Sequence, residues 1–130
     1  MKKINFTPQS SNKSEPLEIN GHVFTLTNLD PIRLARDTLP KLLESIQILG
    51  CIEQVAKDKE DNLDSEVMAS MFEAWDRIDE VLAHAHDKLK AHIVDPSLGK
   101  DFMEILFPAG LDTNDSINFY TSLITQLSEQ

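Results

Sequence analysis

From residue 16 the chain reads "PLEINGHVFTLTNLDP", and its apolar positions alternate. Leu17 and Ile19 precede Asn20-Gly21, and Phe24 and Leu26 follow it. Asn-Gly is the strongest two-residue turn signal, because a type I′ turn needs positive φ at both central positions. That turn sets Ile19 opposite His22 and Leu17 opposite Phe24. Leu17, Ile19, Phe24 and Leu26 then share one face, with His22 at its edge. Two strands alone are marginal in water, so this face needs cover from helices of the same chain or from another subunit.

Beyond residue 30 the apolar period lengthens to that of a helix. Asp30 can cap and Pro31 suits a first helical position, while Pro40 predicts a break or kink after about two turns. Leu42, Leu43, Ile46, Leu49, Ile52 and Val55 continue at helical spacing. After the acidic connector "DKEDNLD", Asp64 caps the longest predicted helix, running to about residue 94. Met68, Trp75, Leu82 and Leu89 recur every seventh residue, with Met71, Ile78, Ala85 and His92 three places later. This heptad seam is either a core stripe or a subunit contact. Asp95-Pro96 ends it. Phe102, Ile105, Leu106 and Phe107 form a short apolar segment stopped by Pro108 and Gly110. A last helix carries Ile117, Tyr120, Leu123, Ile124 and Leu127 on one side. The expected fold is mainly α with a small N-terminal β-hairpin, an α+β chain whose body is a bundle of about four to five helices. Residues 1–15, with the polar run "TPQSSNKSE", read as a flexible arm, and the alternating Ile4 and Phe6 ahead of that run fit a short strand or a loose tail equally. Residues 16–130 read as a single helical domain.

The chain has 130 residues, a usual domain size, and 41% of them are apolar. Its net charge of −10 repels phosphate backbones and anionic membranes, so neither nucleic acid nor membrane is an expected partner. No apolar run reaches spanning length and no signal peptide is visible, which predicts a soluble intracellular protein. The one cysteine, Cys51, falls in an apolar helical stripe and reads as packed and inert.

Candidate chemistry fails on spacing. Asp58, Glu60, Asn62 and Asp64 alternate as in an EF-hand loop, but Leu63 and Ala69 stand where glycine and glutamate are needed. His84 and His86 point to nearly opposite sides of a helix, and Glu80 with His84 supplies only two of the three ligands zinc requires. Gly99-Lys100 lacks the remainder of a phosphate loop, and no nucleophile elbow is present. No cofactor, metal or catalytic residue is expected, and the chain does not read as an enzyme.

An "EINGHVFTL"-type hairpin followed by an acidic helical body of this length resembles the small tail-assembly chaperones of long-tailed bacteriophages. The resemblance covers the layout of residues 16–127. It implies a non-enzymatic protein that self-associates into a homo-oligomer and keeps the tape measure protein soluble in the host cell cytoplasm while tail tube polymerises around it. It supplies no functional residue. By exclusion, the hairpin face (Leu17, Ile19, Phe24, Leu26) and the segment Phe102, Ile105, Leu106 and Phe107 have least guaranteed cover, and are the expected partner-binding surface. Ordinary packing is the alternative for the second segment. A rival reading of the whole chain is an acidic DNA mimic, or regulatory inhibitor, that blocks a nucleic-acid-binding protein.

Overall fold

The computed structural model describes residues 2–5, 14–58, 64–97 and 99–129. Phe6, most of the expected arm, and Glu60, Asn62 and Leu63 of the acidic connector lie outside them. The fold is mainly helical with a small N-terminal antiparallel sheet. The expected domain over 16–130 is composed of two compact units, Met1–Asp30 with Leu89–Gly110, and Pro31–Lys88 with Leu111–Gln130.

In the first unit, strands β1 (Ser14–Ile19) and β2 (His22–Thr27) pair antiparallel with Ile19 opposite His22 and Leu17 opposite Phe24. Asn20 at φ 51° and Gly21 at φ 86° make the turn. A third strand, β3 (Ile93–Val94), pairs with β2 and places Ile93 opposite Leu26. The heptad spacing predicts helix through this segment; the structure ends the helix at Lys90. Backbone pairing with β2 outweighs the continuing period. Around it, the Thr27 amide donates to the His92 carbonyl at 2.9 Å, and His92 Nδ1 lies 2.8 Å from the Thr27 carbonyl. A carbonyl only accepts, so Nδ1 of His92 carries the proton. His92 is thus a clasp of the sheet rather than a seam residue. Helix α3 (Phe102–Leu106) is capped by Asp101, whose carboxylate accepts from the Met103 amide at 2.9 Å.

The second unit contains α1 (Pro31–Asp58), most of α2 (Ser65–Lys90) and α4 (Thr113–Ser128). α1 runs unbroken through Pro40 for 28 residues, against the expected break. Pro40 and Arg36 are both exposed, so the Arg36 carbonyl that loses its helical partner is on the solvent side. α1 and α4 are the closely packed pair. Ile117, Tyr120, Leu123, Ile124 and Leu127 are all buried, the expected face of α4. On α1 the buried face is Leu34, Thr38, Leu42, Ser45, Leu49 and Ile52. Thr38 and Ser45 are tolerated there because each hydroxyl donates to the carbonyl four residues back, Leu34 and Lys41. Leu43 and Ile46, which share the helical period, are exposed. α2 starts as its sequence predicts: the Asp64 carboxylate accepts from the Val67 amide at 2.8 Å. Ile78 joins Leu49, Ile52 and Ile117 in a buried cluster, flanked by Ile48, Met71, Ala74, Trp75 and Leu82.

Candidate functional site

Burial along the heptad seam of α2 is graded. Ile78, Ala85 and Leu89 are buried, Met71, Trp75 and Leu82 are half-buried, and Met68 is exposed. The seam is therefore core toward its C-terminal end and uncovered toward its N-terminal end. There α1 and α2 leave an open groove of about 790 Å³, entirely within the second unit. α1 contributes Ile48, Cys51, Ile52 and Val55 to its apolar lining, and α2 contributes Val67, Met71 and Ala74. The polar lining groups are Glu44, Gln47, Asp64, Glu66 and Ser70, and none of the described lining residues is a lysine or arginine.

The chain direction orders these groups. α1 runs toward the connector at 59–63 and α2 runs away from it, so lining positions pair in reverse order. Asp64 and Glu66 lie at the connector end and Glu44 at the other, with the aliphatic floor between. Cys51 is exposed here, not packed as its stripe predicts. The floor mixes thioether, thiol and aliphatic groups, which re-pack readily against apolar surfaces of different shape.

The expected partner-binding residues are placed differently. Ile19, Phe24, Leu26 and Phe102 are buried, Phe24 and Phe102 to 1% and 0% exposure, so these four offer no surface to a partner in this conformation. Leu17, Ile105, Leu106 and Phe107 are half-buried. The sequence leaves the hairpin face uncovered by exclusion, since the helices can cover one another; the structure adds β3 at the β2 edge, with Ile93 opposite Leu26. The outer edge of β1 is also poorly suited to strand addition. Ile19 and His22 flank the two-residue turn and exchange both backbone bonds, so amides at 14, 16 and 18 face outward. Pro16 has no amide to offer, and Glu15 and Glu18 add charge to the strand, two known ways of blunting an edge.

The groove was reachable from the sequence only through weak signals: methionines at 68 and 71 and small residues at 69, 70 and 74 in the first half of the heptad run. His86 Nδ1 lies 3.0 Å from the Tyr120 hydroxyl, with the rings edge-on. Asp37 is held below the usual carboxylate range by the Arg36 guanidinium, which donates to it at 3.1 Å. Among the described residues no three His, Cys, Asp or Glu side chains converge on a possible metal position, and no helix is long and apolar enough to cross a membrane. No protein-family model, no curated protein and no solved structure matches the chain.

Proposed function

We propose that this chain is a non-enzymatic holding chaperone of the phage tail-assembly kind, which binds apolar helices of the tape measure protein in the host cytoplasm until tail tube encloses them. The observation that carries the reading is the α1–α2 groove: an aliphatic floor, adaptable thioether and thiol groups, and carboxylates at both ends. A helix laid in such a groove hides its apolar stripe while the strongly acidic exterior keeps the complex in solution. A gene for a very long helical protein beside that of this chain is the expected genetic setting.

The test is co-expression of a tape measure segment with the full chain, reading the soluble fraction of the segment. Holding predicts that the segment is soluble with the parent chain and aggregates with a Met71→Glu variant of normal helicity. A segment equally soluble with both chains, or with neither, would remove the groove from the function.

A further inference from the structure

The α1–α2 groove also states what kind of segment it accepts. Its walls are side chains of two helices, whose backbone groups are bonded within each helix except in the last turn of α1 and the first turn of α2, at the connector end. Along the rest of the floor an extended occupant would find no amide or carbonyl to pair with, and its own backbone would be left unsatisfied against apolar side chains. A helix brings its backbone satisfied. The length is set by α1: from Glu44 to Val55 the rise is about 16 Å at 1.5 Å per residue, or three turns. The ends carry Glu44 on one side and Asp64 with Glu66 on the other, with no cation among the described lining residues. A second copy of this chain, at net charge −10, would bring carboxylates against carboxylates.

We infer that the occupant is a single amphipathic α-helix of about three turns whose aliphatic stripe is flanked at both ends by lysine or arginine. This rests on the reading of the groove as the holding site. The floor supplies affinity without strict shape, and the rim supplies polarity of choice: it favours cationic flanks and rejects acidic ones.

The experiment uses three fluorescein-labelled peptides of about fifteen residues and the full chain, read by fluorescence anisotropy. All share one Leu/Ile stripe at helical spacing; one has Lys/Arg flanks, one has Glu flanks, and one keeps the cationic flanks with two central prolines. A chain of this net charge attracts any cation, so the parent is compared with a Glu44→Gln/Glu66→Gln variant whose helicity is checked by circular dichroism. Asp64 is left intact because it caps α2. The expected result is saturable binding of the cationic helix, at least tenfold tighter than the Glu-flanked one at 50 mM salt. The preference should fall at least threefold in the double variant and at 500 mM salt, and the proline peptide should not saturate. Equal affinity for the two flank types overturns the inference while leaving the holding reading intact. So does a preference unchanged in the variant, or a proline peptide that binds as well as the helix. Absence of binding by every peptide overturns the holding reading along with it. A dimer that must dissociate before any peptide binds, seen by light scattering, assigns the groove to a second copy and overturns the inference.

Discussion

Ile78 and Met71 lie seven residues apart on the same stripe of α2, yet the structure gives them opposite roles. Ile78 is 0% exposed, at the centre of a cluster with Leu49, Ile52 and Ile117. Met71 packs on the edge of that cluster and lines the groove. Ile78→Ala deletes buried carbons that α1, α2 and α4 enclose, so it should cost about 3–4 kcal/mol, within the usual range for such truncations. Met71→Ser removes a side chain that is only half-buried. Full burial of a methionine is worth about 1.5–3 kcal/mol, so half of that, about 1 kcal/mol, is the expected cost. Urea denaturation followed by circular dichroism separates the two. With a slope of about 1–3 kcal/mol per molar urea, Ile78→Ala should lower the midpoint by roughly 1–4 M and Met71→Ser by clearly less. Binding of an apolar helix should invert the order. The Ile78 variant, kept folded at low temperature, should bind within about threefold of the parent, whereas the Met71 variant should lose tenfold or more, about 1.4 kcal/mol of affinity. Equal stability losses at the two positions would refute the division of the seam into core and groove. A Met71 variant that binds normally would refute it as well.

Gly21→Val should destabilise the first unit by about 1–3 kcal/mol through backbone strain alone, since φ is +86° and nothing lies within 4 Å of an added Cβ; a variant as stable as the parent in a denaturant titration contradicts the turn. Phe102→Ala should cost about 3–5 kcal/mol, as for a fully buried aromatic, and Phe107→Ser clearly less, because Phe107 is only half-buried; the same titration compares them, and the reverse order would move the core of that segment. The Asp37 carboxyl, depressed by the Arg36 hydrogen bond, should titrate below the ordinary range by NMR. Whatever it adds to stability is present above the ordinary carboxylate pKa and disappears as pH falls through the lowered one. Arg36→Gln should raise the midpoint while leaving thermal unfolding nearly unchanged, as for an exposed pair; an unmoved midpoint contradicts the assigned cause.

Local signals in the sequence translated well into structure. Asn20-Gly21 set both the turn and the register, and Asp64 started α2 where its carboxylate could reach an amide. The apolar face of α4 was readable because every period-matched residue on it is buried. Failures came where the outcome depends on distant chain. Ile93 and Val94 continue a helical period, but β2 offers backbone partners that no local window contains. Pro40 is tolerated because its side of α1 is exposed, which composition cannot state. Periodicity also marks which positions are apolar without saying which are covered. Leu42 and Leu43 both fit the stripe, and one is buried and the other exposed. The same blindness hid the groove. Met71, Cys51 and Val55 carry the spacing of a core, yet all three line the groove.

Cys51 is the sole cysteine of the chain, is exposed, and lines the groove, so its alkylation reports directly on occupancy. The native protein should react with iodoacetamide at one thiol without denaturant. A saturating amphipathic helix with basic flanks should slow that reaction at least tenfold, with a concentration dependence matching its binding curve. A helix that binds at the same concentrations while Cys51 reacts at its unprotected rate would place the binding surface elsewhere on the molecule.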